Sequence, residues 1–427
     1  MKKLLTLLFF ANSIICYGIQ KQDSIPKPFE ISIESSKENG IYQSDELAEV
    51  YVIIQNNSDS KLTGNIQWEI TTDEQEPLKR STFPITVEKG KKIYSNCPIY
   101  QFKDAGFYNY SSTITLENGI QANRSMNIGF APESIKPILT KSADFDLFWE
   151  DSKKSLNTIE PEYKLTLQNK GSKDPYNIYL VEMKSLGGIT VQGWLEVPKK
   201  KGKYPAILRV PGYTSNMQPV KKFDDMVIFS FNPRGHGDSE EGPDPLLGMW
   251  IRGLDDKETY YYRGAYLDCL RALDFLARRP EVDSERIAVW GGSQGGGFSF
   301  MTAALDDRIS FCVADIPWLC DWVNYFKTTH WDEIDTWMSE SPSRNWLSLL
   351  KTLSYFDTMN MADKIKCPVL MRIGLQDPVC PPATSFATYN LINSKKEFIV
   401  YPKSGHWIGD VDWDYGYQWL REKFEIK

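Results

Sequence analysis

The chain has 427 residues, of which 41% are hydrophobic and 25% charged, and a formal net charge of −7. That length allows two hydrophobic cores, and the ordinary composition excludes a fibrous repeat or wholesale disorder. Charges of both signs are mixed along the chain, so no basic face exists for nucleic acid, and a neutral or weakly charged partner is expected.

Taken in chain order, Lys2 and Lys3 precede an apolar run from Leu4 to Phe10, and Cys16 and Gly18 follow. A basic start, a short apolar run and small residues read as an export signal over residues 1–18, which predicts a periplasmic or extracellular protein. The run is too short to span a membrane, and no later segment is apolar enough to do so. A lipid anchor through Cys16 is the alternative, disfavoured by the bulky Ile15 before it. Six of the seven cysteines lie beyond this segment without a close pair. Cys269 and Cys312 are expected as buried thiols, and with three histidines a zinc site is not expected.

From Phe29 to Phe130 apolar and polar residues alternate over Phe29–Ile33, Ala48–Ile54, Asn65–Ile70, Phe83–Val87 and Tyr108–Leu116. Turn-formers such as Asn39-Gly40 and Asn118-Gly119 separate these strands, which predicts a small all-β, immunoglobulin-like sandwich over residues 25–132. Pro132 and Pro137 then break the pattern. Residues 140–427 follow a different rule. Asp144–Leu156 has helical spacing with Asp144 placed to cap it. Apolar strands at Ala206–Val210, Met226–Phe231, Arg286–Trp290, Ile309–Ala314, Val369–Ile373 and Glu397–Tyr401 alternate with helices such as Tyr261–Ala277 and Gly296–Leu305. Such alternation predicts an α/β fold with a mostly parallel sheet covered on both faces. The aromatic stretch Trp318–Phe356 is expected as a helical excursion over a site.

Directly after Arg286–Trp290 comes Gly291-Gly292-Ser293-Gln294-Gly295-Gly296-Gly297, a G-x-S-x-G nucleophile elbow between strand and helix. Glycines there let the two elements approach while the serine occupies a strained turn. Serine needs a base. In this chain order the base follows the nucleophile, which excludes His236; His330 lies in the aromatic excursion without a strand end before it. His406, in the loop after Glu397–Tyr401, remains. Asp377, in the loop after Val369–Ile373, is the favoured acid, and Asp315 is its rival. Backbone N–H groups of Tyr213, after Pro211-Gly212, and Gln294 are the candidate oxyanion donors. In Asn232–Ser239, Arg234 and Asp238 are candidates for a pair supporting the elbow.

The region from Asp144 onward resembles the acetyl xylan esterase and cephalosporin C deacetylase family, carbohydrate esterase family 7, of the α/β-hydrolase superfamily. The likeness is carried by Phe145–Trp149, Gly193–Pro198, Tyr260–Gly264, Gly291–Gly297, Ala314–Asp321, Tyr355–Asp357, Cys367–Val369 and Gly374–Pro382. It implies hydrolysis of acetyl esters on sugars, with no metal or cofactor. The family's triad falls on Ser293, Asp377 and His406, its oxyanion donors on Tyr213 and Gln294, and Pro317 and Trp407 are expected to border the substrate. Hexamers are common in the family, and the β-rich N-terminal region lies outside its single-domain pattern. Three departures stand out: His236 where the family has Gln, Trp407 where it has Glu, and Pro211 where it has His. The expectation is a secreted serine esterase acting on small acetylated carbohydrates such as xylo-oligosaccharides, through an acetyl-enzyme. A peptidase or longer-chain esterase is the alternative, and an inactive binding protein is disfavoured by the intact triad.

Overall fold

The structure, a computed structural model, describes residues 29–240, 248–409 and 411–426. The expected export signal lies outside the described residues.

The N-terminal strands are β1 (Phe29–Ser35), β2 (Ile41–Tyr42), β3 (Val50–Asn56), β4 (Leu62–Thr72), β5 (Pro77–Val87), β6 (Lys92–Asn96), β7 (Gly106–Leu116) and β8 (Gln121–Phe130). They form a three-stranded sheet, β1-β3-β6, and a five-stranded sheet, β2-β8-β7-β4-β5. Alternation along β3 and β7 turns every second side chain inward. Val52 and Ile54 from one sheet thus share a core with Ile66, Trp68, Tyr110, Ile114 and Ile128 from the other. Strands β2, β6 and β8 escaped the sequence reading because β2 and β6 are short and β8 begins with five polar or small residues, Gln121–Ser125.

Helix α1 (Phe145–Asn157) follows, then antiparallel β9 (Lys164–Leu167), β10 (Tyr176–Lys184) and β11 (Thr190–Pro198), none of which the apolar-run criterion found. Burial alternates along β10 and the first half of β11, so their signal is amphipathic rather than continuous. The Asp144 carboxylate does not cap α1. It bonds Lys257 and the Tyr355 hydroxyl instead, because a cation and a donor lie within reach.

The remaining strands are β12 (Tyr204–Val210), β13 (Val227–Asn232), β14 (Val282–Gly292), β15 (Phe311–Asp315), β16 (Val369–Gly374) and β17 (Lys396–Tyr401). Helices α2 (Tyr261–Ala277), α3 (Gln294–Leu305), α7 (Pro382–Leu391) and α8 (Val411–Lys423) lie between and after them. The excursion between β15 and β16 contains α4 (Trp322–Thr328), α5 (Asp332–Ser339) and α6 (Trp346–Leu353). Together β9–β17 form a nine-stranded sheet in the order 17-16-15-14-12-13-11-10-9, parallel from β17 to β13 and antiparallel beyond. Successive residues of the parallel strands feed opposite cores. Leu208, Phe229 and Val289 face the side of α1–α3, while Ile207, Ile228 and Trp290 pack beneath Leu420 and Phe424. A sheet buried on both faces needs such near-continuous apolar strands. Their carboxyl ends open on one edge, and there the motif residues gather. Among the described residues no helix is long and apolar enough to cross a membrane.

Candidate active site

Ser293 sits between β14 and α3 with φ 58° and ψ −120°, a left-handed conformation that a non-glycine residue rarely adopts. Its neighbours hold it there. A Cβ on Gly291 would lie 2.6 Å from the Gly295 carbonyl carbon, and one on Gly295 would lie 2.5 Å from the Val210 oxygen. Only glycine permits α3 to begin so close to β12 and β14. The Ser293 N–H donates to the Asp315 oxygen at 2.9 Å, and its carbonyl accepts from Trp318 N–H at 2.9 Å.

Ser293 Oγ lies 3.0 Å from His406 Nε2, and His406 Nδ1 lies 2.8 Å from Asp377 Oδ2. The other oxygen of Asp377 accepts the backbone N–H groups of Val379 and Cys380 at 2.8 and 2.9 Å. Asp377 is buried, whereas His406 keeps an edge toward solvent. A carboxylate bonded on both oxygens fixes the imidazole so that Nδ1 carries the proton and Nε2 faces the serine as acceptor. The three residues come from loops after β14, β16 and β17.

The rival carboxylate is committed elsewhere. Asp315 receives Arg372 Nε and Nη2 at 2.7 and 2.6 Å and Trp290 Nε1 at 2.7 Å, all beneath the sheet edge. His330 is two-thirds exposed and faces Asp332 and Asp335 at 3.4 and 3.2 Å. Arg234 does not pair with Asp238, which is exposed. Its guanidinium meets Asp268 of α2 twice at 2.8 Å and lies across Gly264, where a Cβ would collide with it at 2.0 Å. Asp268, fully buried among apolar helix residues, needs that cation more than a solvated loop does.

His236 has a place that sequence order alone did not disclose. Its Nδ1 lies 2.7 Å from the Ser215 carbonyl oxygen, so Nδ1 must be the donor, and Nε2 accepts from Gln294 Nε2 at 3.0 Å. Gln294 Oε1 in turn accepts the Tyr262 hydroxyl at 2.7 Å. Burial holds His236 neutral, with its pKa pushed down to about 4. The chain Tyr262–Gln294–His236–Ser215 therefore ties the residue after Ser293 to the loop that carries Tyr213. Gly212 of that loop lies against the elbow, where a Cβ would stand 3.9 Å from Ser293 Cβ. Among the described residues neither the Tyr213 nor the Gln294 backbone N–H donates to another group. The Tyr213 ring packs edge-on against Trp318 and Trp331, in an aromatic cluster continued by Trp250, Trp322 and Phe326.

A cleft of about 330 Å³ opens beside Ser293 and His406, lined also by Met217, Ile316, Trp407 and Ile408. Trp407 is 56% exposed there. Pro317 does not line it. It is buried against α3, where a Cβ on Gly296 would come within 2.8 Å of its Cα, so it braces the elbow from behind. The Cys380 thiol lies 4.0 Å from Ser293 Oγ. Asp377, Cys380 and His406 are the one group among the described residues with ligand atoms mutually within 4.8 Å. Their donor set suits a metal poorly: both Asp377 oxygens already accept hydrogen bonds, and burial, then the Asp377 charge, push the thiol far up from its usual range, away from the thiolate a metal needs. All six cysteines among the described residues are free and buried.

The sheet order and the strand–elbow–helix junction define the α/β-hydrolase fold. Residues 133–423 match the family model described as acetyl xylan esterase (AXE1). The chain belongs to that family and is a carboxylic ester hydrolase. It is 32% identical over 304 residues to the acetyl esterase Axe7A of Xylanibacter ruminicola, covering 66% of this chain and 67% of that protein. Among solved structures, an acetyl xylan esterase from Paenibacillus sp. R4 superposes with a TM-score of 0.63 at 32% identity, covering 68% of this chain and 98% of that one. Acetyl xylan esterase 1 from Thermoanaerobacterium sp. JW/SL YS485 gives 0.63 at 30%, covering 68% and 97%.

Proposed function

We propose that the protein is an exported serine esterase that removes acetyl groups from small acetylated sugars such as xylo-oligosaccharides. The observation that carries this reading is the hydrogen-bonded line Ser293–His406–Asp377, with the serine held at a strained elbow. His406 Nε2 takes the Ser293 proton as Oγ attacks the acetyl carbonyl. The developing oxyanion accepts the N–H groups of Tyr213 and Gln294, the latter at the N-terminus of α3 where the helix dipole favours negative charge. Protonated His406 then donates to the departing sugar oxygen, leaving an acetyl-enzyme. Water then attacks the acetyl carbon as His406 removes its proton, and His406 returns that proton to Ser293 Oγ as acetate leaves. Asp377 stabilises the imidazolium in both halves.

A cleft near the lower end of the usual ligand-pocket range suits a short acyl group better than a long chain. The exposed Trp407 indole beside His406 offers an apolar face to a sugar ring. Names of the relatives, acetyl esterase and acetyl xylan esterase, agree with an acetylated sugar substrate. Export rests on Lys2, Lys3 and the apolar run after them.

The test compares wild type and Ser293→Ala on a chromogenic acetyl ester, a longer acyl ester and acetylated xylo-oligosaccharides. Serine-dependent acetate release from the oligosaccharides is expected. Faster cleavage of the longer acyl ester than of any acetylated sugar would overturn the acetyl reading.

A further inference from the structure

The N-terminal β region meets the hydrolase beside the acid of the proposed triad. Strand β8 pairs with β7 on one edge, so its outward N–H groups need other acceptors. Gly129 N–H donates to the Gly40 oxygen and Ala131 N–H to the Tyr42 oxygen, both on or next to β2. The next outward N–H, that of Asn127, lies beyond the end of β2. It donates to Gln376 Oε1 at 2.7 Å, and Gln376 Nε2 donates back to the Asn127 oxygen at 3.1 Å. The side-chain amide of Gln376 thus takes the position of one more strand residue, and the two bonds together fix which end of the amide is oxygen.

Gln376 immediately precedes Asp377. Its Nε2 also donates to the Pro402 oxygen at 2.8 Å, and its N–H donates to the Ser404 oxygen at 2.9 Å, two residues before His406. Asn127 Nδ2 adds a bond to the Leu375 oxygen at 3.3 Å, while Asn109 Nδ2 holds the Asn127 side chain at 2.7 Å. Apolar contacts brace the same junction. Gly40 packs so closely on Leu375 that a Cβ would meet its Cδ2 at 2.6 Å, and the rings of Phe107 and Phe386 stand 5.6 Å apart. One half-buried side chain therefore joins three backbones: β8, the acid loop and the histidine loop.

We propose that Gln376 is a positioning residue and that, through Asn127, the N-terminal β region sets the spacing between the Asp377 and His406 loops and hence the serine–histidine alignment. This rests on the triad reading above. A base misplaced by a fraction of an ångström loses rate without losing substrate affinity, because positioning acts on the reacting atoms and not on the cleft. Ordinary docking of one region on another predicts the reverse: lower stability with unchanged turnover per folded molecule.

Gln376→Met keeps the side-chain length and removes its hydrogen bonds. Asn390→Ala is the control, since Asn390 Nδ2 of α7 holds the segment just after β8 through the Pro132 and Ile135 oxygens, each at 2.9 Å, away from the acid loop. On the chromogenic acetyl ester, Gln376→Met is expected to lower kcat by about tenfold with KM within about twofold, while Asn390→Ala lowers thermal stability and keeps kcat. Wild-type kcat in Gln376→Met, or an equal fall in both variants, overturns the proposal. If Gln376→Met does not accumulate folded, Gln376→Glu decides, since its carboxylate can still accept the Asn127 N–H but cannot donate to the Asn127 and Pro402 oxygens: a fall in kcat of about threefold supports the proposal and no fall sinks it. Ser293→Ala is measured alongside. Full activity in that variant overturns the triad reading itself, whatever Gln376→Met does.

Discussion

His236 Nε2 accepts a hydrogen bond from the side-chain amide of Gln294 at 3.0 Å, which places a neutral imidazole directly behind the residue that follows Ser293. Protonation would turn that acceptor into a donor facing another donor. Burial lowers the His236 pKa to about 4 from an ordinary 6.5. The unfolded chain therefore binds a proton at higher pH than the folded one does.

Stability linked to His236 is accordingly complete above about pH 6.5 and falls as the pH drops toward 4, by on the order of 3 kcal/mol. Urea unfolding of wild type and His236→Gln at pH 7.5, 6, 5 and 4.5 checks this. The glutamine variant, which can still donate to Ser215 and accept from Gln294, should lose distinctly less stability over that range. Parallel curves for the two proteins would show that His236 is not the linked group.

The two carboxylates at adjacent strand ends should fail in different ways. Asp377→Asn is expected to cut kcat by about 10⁴ with little change in stability, because an amide favours the wrong imidazole tautomer. Asp315→Ala leaves Arg372 buried without its carboxylate and should cost roughly 3–5 kcal/mol, seen as a lower urea midpoint. An Asp315 variant of full stability but with kcat down by orders of magnitude would reverse the two roles.

Gly295→Ala places a methyl group 2.5 Å from the Val210 oxygen. The backbone of β12 cannot yield as a flexible side chain would, so the elbow must open. A loss of roughly 1–3 kcal/mol is expected, with reduced turnover, because the Gln294 N–H moves with the elbow. Thermal melts and kcat on the acetyl ester measure both; a variant unchanged in each contradicts the tight approach of α3 to β12.

Trp407→Ala tests the wall of the cleft. KM for acetylated xylo-oligosaccharides should rise on the order of fivefold while kcat on a small aryl acetate stays near wild type. Equal effects on both substrates would place Trp407 with the histidine's support and not with the sugar.

Local features were legible in the chain and distant ones were not. The elbow, the two loops carrying Asp377 and His406, and the exact span of α2 could be read because strand, turn and helix chemistry is encoded within a dozen residues. With three histidines and a fixed chain order, the histidine that the fold sets beside Ser293 could be picked out by elimination. Strands β10 and β11 alternate in burial and lack the continuous apolar run of the parallel strands, so they do not stand out in this half of the chain.

What the sequence determined by itself is the turn that carries Ser293, since only glycines at positions 291 and 295 tolerate that approach, and the family, since long ordered motifs carry it. Tertiary structure decided the partners of the charged and amide groups. Arg234 had a carboxylate four residues away and took Asp268, 34 residues on. Pro317 moved from the cleft to the back of the elbow. Gln376 looked like a loop residue and joins a strand edge 249 residues earlier. Buried polar groups bond with whichever complementary atom the packed fold leaves beside them, and separation along the chain does not enter that choice.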